Sequence, residues 1–146
     1  TTARIVALAD EIFDPRGVAH HYANLGRNAA ERWLEGDDAV PVKRYFYALR
    51  PALAIRALRR NPDRRPSMDL QGLMVESDIS PSVADMIEEL VEAKRQTREL
   101  GNSRRFPELD GLIRDELGRA AELPERKSPE AALEAANEIF LDLVKE

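Results

Sequence analysis

The stretch KRYFYALRPALAIRALRR runs from Lys43 to Arg60 and predicts a long α-helix. An α-helix turns about 100° per residue, which places Phe46, Leu49 and Leu53 on one flank where they can pack into a core. Pro51 lies inside the stretch and has no N–H, so one backbone carbonyl loses its hydrogen-bond partner and we expect a kink there.

Beside the apolar flank, Lys43, Tyr47 and Arg50 share one face within an arc of about 60°. Arginine can hold a phosphate with two parallel N–H donors, lysine adds a point charge, and tyrosine can donate a hydrogen bond or stack on a base. With Arg44 and Lys94 at its flanks, this face is a predicted anion-binding surface. The alternative is a solvated basic face, on which Lys94 only buries its stem and keeps its amine in water.

The charge of the chain is unevenly distributed. Residues 41–66 carry eight Lys or Arg and one acid, a net charge of +7 in a chain whose total is −5. One basic block in an acidic protein is a candidate anion site, while the total argues against a surface that coats nucleic acid. Cysteine is absent, which excludes disulfides and thiolate zinc sites and fits a cytoplasmic protein. No apolar run is long enough to span a membrane, so we expect no membrane partner.

Cap-and-proline pairs mark predicted helix starts at Asp14-Pro15, Ser80-Pro81 and Ser128-Pro129. Apolar residues recur every three or four positions, and no segment alternates as a strand does. One such stripe consists of Val18, Tyr22, Leu25, Ala29 and Trp33. These patterns predict an all-α fold without a sheet, a single domain over residues 1–146 built as a bundle of about six to seven helices. The predicted helices are 3–13, 15–35, 41–60, 68–76, 81–100, 107–122 and 129–145.

Motifs that would carry catalysis are missing from the sequence. There is no P-loop, no G-x-S-x-G, no H-E-x-x-H and no Gly-Ser element followed by paired acids. Phosphoryl transfer needs carboxylates that hold divalent ions on the phosphates. We therefore expect no catalytic residue, no metal ligand and no bound cofactor in this chain. Arg16 and His21 have the R-x4-H spacing of helical HEPN-type ribonucleases, a short match that leaves such an activity as a weaker alternative.

The string KRYFYALRPALAIR, from Lys43 to Arg56, resembles a segment of predicted nucleotidyltransferases of the DNA polymerase β superfamily, the group named for an RNA-repair pathway. Four further segments are similar to that family in the same order: HHYANLGRNAAERWL (20–34), RPSMDLQGLM (65–74), IEELVEAKRQTRELG (87–101) and FPELDGLI (106–113). The resemblance covers about residues 1–124, and residues 125–146 are predicted to add a last packing helix.

The resemblance implies that substrate binding and catalysis lie in different domains. Members of the family place an α/β palm domain, with a Gly-Ser turn and paired acids, ahead of these helices, and this chain has no such palm. The chain is then the substrate-facing helical part, inactive alone, with its missing palm as partner and Mg²⁺ held there. By the same resemblance Lys43, Tyr47 and Arg50 would contact nucleotide phosphates or the RNA end. A non-catalytic helical module that binds RNA or protein through the basic helix is the second interpretation.

Overall fold

The computed structural model describes residues 3, 13–36, 38–97, 101–125, 137–138 and 140–144, which are mostly α-helical as predicted. The elements in chain order are α1 (Pro15–Ala30), β1 (Val40–Pro41), α2 (Val42–Arg60), α3 (Leu70–Ser77), α4 (Pro81–Thr97), β2 (Asn102–Ser103), α5 (Pro107–Leu117) and a 3-10 turn (Ala120–Glu122). Residues 137–138 and 140–144 are also helical. No helix in the described ranges is long and apolar enough to cross a membrane.

The expectation of no sheet is wrong in one small respect. Strands β1 and β2 pair antiparallel, with Val40 opposite Ser103 and Pro41 opposite Asn102. The backbone N–H of Val42 extends the pairing by donating to the carbonyl of Gly101 at 3.0 Å. Strands of two residues leave no alternation in a sequence, so periodicity could not reveal them.

Two of the predicted helix starts are confirmed. The N–H of Gly17 donates to the Asp14 carboxylate at 3.2 Å, and the N–H of Val83 donates to the Ser80 hydroxyl at 3.2 Å. The predicted helix 15–35 is shorter than expected: α1 ends at Ala30, and turns continue the chain towards residue 36. Predicted helix 107–122 divides into α5 and the 3-10 turn. Nearly all of predicted helix 3–13, the start at residues 128–129 and part of helix 129–145 lie outside the described residues.

Helix α2 is the centre of the fold. Twelve of its nineteen residues are buried, and among them are the predicted core residues Phe46, Leu49 and Leu53. The helix is continuous through Pro51, which is itself buried.

Helix α1 packs on α2 through small side chains rather than through its apolar stripe. Its buried positions are Pro15, Ala19, Ala23, Gly26 and Ala30. A Cβ added to Gly26 would lie 2.3 Å from a Leu117 methyl carbon and 3.2 Å from Cβ of Pro51, so the two helices approach closely there. The predicted stripe lies beside this contact: Val18, Tyr22 and Ala29 are partly buried against the core and Trp33 is buried in it. Its member Leu25 is 47% exposed.

A buried polar cluster joins α2 to the start of α5. The hydroxyl of Tyr45 donates to a carboxylate oxygen of Asp110 and accepts from the N–H of Phe106 at 3.1 Å. Arg105 donates to the other oxygen of Asp110 at 3.0 Å and to the carbonyl of Trp33 at 2.8 Å. Because these groups satisfy one another away from water, the cluster fixes how three segments meet.

Replacing Tyr45 with phenylalanine tests this cluster. Burial and the hydrogen bond to Asp110 raise the pKa of Tyr45 above its ordinary value. In the unfolded chain the pKa of a tyrosine is about 10. Its contribution to stability is complete below about pH 10 and declines as the pH rises further, because the unfolded state loses its proton first. We expect Tyr45→Phe to lower the free energy of urea unfolding by about 1–3 kcal/mol at neutral pH.

The decline of stability above about pH 10 should also be shallower in Tyr45→Phe than in the unsubstituted chain. Tyr47→Phe is the matched control, since Tyr47 is 53% exposed. Equal unfolding free energies for the two variants would show that the Tyr45 hydroxyl does not stabilise the fold.

Candidate anion and base site on helix α2

Part of the predicted basic block is internal structure. Arg59 holds the carboxylate of Glu116 with two hydrogen bonds of 2.9 and 2.5 Å, and Arg56 lies 3.4 Å from the same carboxylate. The Glu116 side chain is only 2% exposed, so both guanidinium groups neutralise a buried charge. The partner raises the pKa of Arg59. Arg56 also donates to the carbonyl of Ser77 at 2.6 Å, which fastens the end of α3 to α2.

The cations at the end of the block are partly paired. Arg60 lies 3.3 Å from Asp78, and Arg64 lies 3.5 Å from Glu76. Glu76 accepts further hydrogen bonds from the hydroxyl of Ser67 and, at 3.0 Å, from its N–H. This carboxylate therefore holds the segment before α3 in place.

The predicted residues Lys43, Arg44 and Tyr47 line a cleft of about 500 Å³ at the start of α2. We call it the basic cleft, because its described lining adds Arg32 and one acid, Glu31. All three predicted side chains are exposed. The amine of Lys43 lies 5.6 Å from the centre of the Tyr47 ring, within the range of a cation–π contact.

Arg50 lines a second cleft of about 410 Å³, which we call the apolar cleft. Its other described lining residues are Tyr22, Leu25, Ala29, Tyr47, Pro51, Ala54, Ser67, Met68 and Leu73. Tyr47 and Ala29 line both clefts, so the two clefts are adjacent. Among the described residues, neither Arg44 nor Arg50 has a hydrogen-bond or ion-pair partner.

Lys94 lies apart from these groups. It is partly buried on α4, and its amine is 5.4 Å from the centre of the Phe46 ring. The described lining of the basic and apolar clefts does not include it. The structure thus places Lys43, Arg44, Tyr47 and Arg50 in the linings of these two adjacent clefts on α2 and places Lys94 outside their described linings.

Sequence reasoning missed the wall of the apolar cleft. Met68 is 87% exposed although it is a large apolar residue, and Tyr22 and Leu25 come from the stripe of α1 that is not its buried face. A signal was available: segments 20–34, 43–56 and 65–74, which carry the family resemblance, all contribute to this one cleft. Their packing together could not be deduced from helical period.

The described residues offer no ready metal centre. No three His, Cys, Asp or Glu side chains among them come together as metal ligands. Arg16 and His21 are occupied differently from a ribonuclease pair: Arg16 donates to the carbonyl of Leu123 at 2.7 Å, and His21 lies 5.9 Å from Tyr22, ring centre to ring centre.

Comparisons with known proteins agree with the resemblance. A family model described as RNA repair pathway DNA polymerase beta family matches residues 1–142, past residue 124 where the resemblance in the sequence ended. The chain is 30% identical over 148 residues to the uncharacterized protein YcgL of Bacillus subtilis (strain 168). That match covers 100% of this chain and 56% of YcgL, so the chain spans little more than half the length of this relative. No solved structure matches significantly.

Stability measurements separate structural from available cations. Arg59→Ala leaves the buried Glu116 with one distant partner and should lower the free energy of unfolding by about 3 kcal/mol. Arg50→Ala breaks no ion pair among the described residues and should change it by about 0.5 kcal/mol or less. Urea unfolding followed by circular dichroism measures both. A loss for Arg50→Ala as large as that for Arg59→Ala would make Arg50 a structural residue.

Proposed function

This chain belongs to the RNA repair pathway DNA polymerase beta family, and we propose that it is the substrate-binding helical part of a nucleotidyltransferase. Its substrate is a nucleotide or an RNA end. The observation that carries the proposal is the apolar cleft, where an arginine without a partner among the described residues lies beside two tyrosine rings.

The cations of this surface are suited to phosphate. Arg50 in the apolar cleft and Arg44 in the basic cleft have all their guanidinium donors available to a ligand, as far as the described residues go. Arginine binds phosphate oxygens with paired N–H donors, and Lys43 adds a second charge next to Tyr47. Nucleotide phosphates are the anions that a nucleotidyltransferase would bind.

The wall of the apolar cleft is suited to a base. Tyr22 and Tyr47 present aromatic rings, and Leu25 and Met68 present exposed apolar side chains. Bases stack on aromatic side chains, and each such contact contributes about 1–3 kcal/mol. A base in this cleft would bring its phosphate to Arg50 or, past Tyr47, to the basic cleft.

Lys94 has a supporting place in this proposal. Its amine, 5.4 Å from the centre of the Phe46 ring, adds positive charge near α2 rather than a contact in either cleft. The Mg²⁺ of the reaction is proposed to be held by a palm domain outside residues 1–146, as the resemblance to the family implies. The extra length of YcgL is consistent with such a domain.

A ribonuclease of the HEPN type is less well supported. It would need Arg16 and His21 at one reacting centre, but the Arg16 guanidinium binds the Leu123 carbonyl and lies 3.7 Å from Glu125. Those contacts explain Arg16 as an anchor between α1 and the segment after α5.

Arg50→Ala tests the proposed site. We expect it to weaken binding of adenosine or uridine triphosphate by on the order of 1–3 kcal/mol, because it removes hydrogen bonds to a charged group. The loss should shrink as salt is added, since the contact is electrostatic. Isothermal calorimetry on the purified chain measures both effects. Arg95→Ala is the matched control, because Arg95 is an exposed arginine of α4 paired with Glu92. Equal losses in the two variants would contradict the site.

The proposal also concerns activity. Incubated with labelled nucleoside triphosphate, Mg²⁺ and RNA, the chain alone should transfer no label, because the family resemblance assigns the carboxylates that hold the metal to the palm domain. Metal-dependent labelling that co-purifies with the chain and is lost in Arg50→Ala would overturn the division between binding and catalytic parts.

A further inference from the structure

A third cleft continues the surface beyond the apolar cleft. It has a volume of about 400 Å³, and its lining includes Ala57, Arg60, Arg64, Arg65 and Glu76. We call it the terminal cleft. Its wall at Pro66 is adjacent in the chain to Ser67 of the apolar cleft, so one segment borders both.

The three clefts follow one face of α2. Counted from Arg50, Ala54 lies at about 40° and Ala57 at about −20° around the helix, so alanines floor the passage from the apolar to the terminal cleft. Tyr47 links the basic cleft to the apolar cleft at the other side. From Lys43 to Arg60 the helix rises about 25 Å.

Cations outnumber acids along this surface, although the chain as a whole is acidic. The described linings together hold seven Lys or Arg and two acids, Glu31 and Glu76. Glu76 is already engaged by Ser67 and Arg64, which leaves its charge largely compensated. The same ion pair lowers the charge of Arg64, and Asp78 lowers that of Arg60 from a distance of 3.3 Å. Arg65 lies 5.7 Å from the centre of the Phe13 ring. Arg50 lies in the apolar cleft, and three of the other cations line each of the clefts on either side of it.

The order of the clefts along α2, with the apolar cleft between two clefts lined by cations, favours one kind of ligand. A mononucleotide carries phosphate on one side of its base, whereas a strand carries phosphates on both sides. A duplex hides the faces of its bases, so it cannot fill an apolar cleft by stacking. We propose that the three clefts form one track for single-stranded nucleic acid, with an unpaired base in the apolar cleft and backbone phosphates in the basic and terminal clefts.

This inference rests on the proposed function and makes it narrower, since it assigns the site to a strand rather than to a free nucleotide. At about 3.4 Å per stacked nucleotide, the track spans about seven nucleotides, and fewer if the strand is extended. Arg64 then contacts the strand without contacting a mononucleotide bound at Arg50.

Fluorescence anisotropy and calorimetry on the purified chain test the track with three probes: adenosine monophosphate, an oligoadenylate octamer and a duplex of the same length. The octamer should bind about tenfold more tightly than the monophosphate and more tightly than the duplex. The slope of log affinity against log salt should be steeper for the octamer by about 0.7 for each added phosphate contact. An octamer that binds no better than the monophosphate, or less well than the duplex, overturns the track.

Variants locate the strand. Arg64→Ala, or Arg65→Gln as a second variant, should remove most of the octamer's advantage and leave monophosphate binding unchanged, whereas Arg95→Ala should change neither. Octamer binding that is insensitive to both terminal-cleft variants overturns the proposed path.

The two proposals fail in different ways. If the monophosphate binds through Arg50 but chain length gives no advantage, the track is wrong and the nucleotide site stands. If neither the monophosphate nor the octamer binds, or if Arg50→Ala is without effect on both, the site itself is wrong.

Discussion

The packing of α5 on α2 depends on the buried carboxylate of Glu116 and the cations that pair with it. A carboxylate removed from water must be paired with cations and hydrogen-bonded, because an uncompensated buried charge is strongly destabilising. Arg59 and Arg56 provide that compensation from α2, so α5 can lie only where its Glu116 reaches both. The same contact removes two arginines from the basic block. The charge of residues 41–66 is therefore divided between a buried role and an exposed one.

The arginines that pair with the buried Glu116 and the cations that line the clefts lie on opposite sides of α2. Counted from Lys43, Arg56 and Arg59 lie at about −140° and 160° around the helix, while Arg50 lies at about −20°. At its other end, Tyr45 is held by Asp110 and Phe106. Anchored at both ends on its buried side, α2 presents its remaining face on a rigid element. Rigid presentation lowers the conformational cost of binding, which favours a ligand site on this helix over one on a loop.

Helical period and capping chemistry were enough to predict most of the fold. The starts at Pro15 and Pro81 and the core flank of α2 followed from local rules that the structure obeys. The face of α1 did not, because Gly26 and its alanine neighbours pack closely without a strong hydropathy signal. Acids such as Asp110 and Glu116 look solvated in a sequence, and only the arrangement of α2 and α5 shows that they are buried.

The candidate site could also be predicted only in part, because some of its residues lie on one helix and others come from distant segments. Angles around one helix were sufficient to group Lys43, Tyr47 and Arg50, since that grouping needs no tertiary information. They did not reveal that Tyr47 would border two clefts, or that Tyr22 and Met68 would complete the apolar one. Those walls come from α1 and from the segment before α3, so they depend on packing between distant parts of the chain.

The central claim is that a base occupies the apolar cleft, and the methyl groups of the three methionines offer the most direct measurement. Met68 lines the cleft and is 87% exposed, whereas Met74 and Met86 are partly buried against the core and are not among its described lining residues. In a chain labelled at its methionine methyl carbons, added nucleotide or oligonucleotide should shift the Met68 NMR signal through the ring current of a stacked base. The Met74 and Met86 signals should stay nearly fixed. A saturating ligand that leaves Met68 unmoved, or that shifts all three signals equally, would contradict the account.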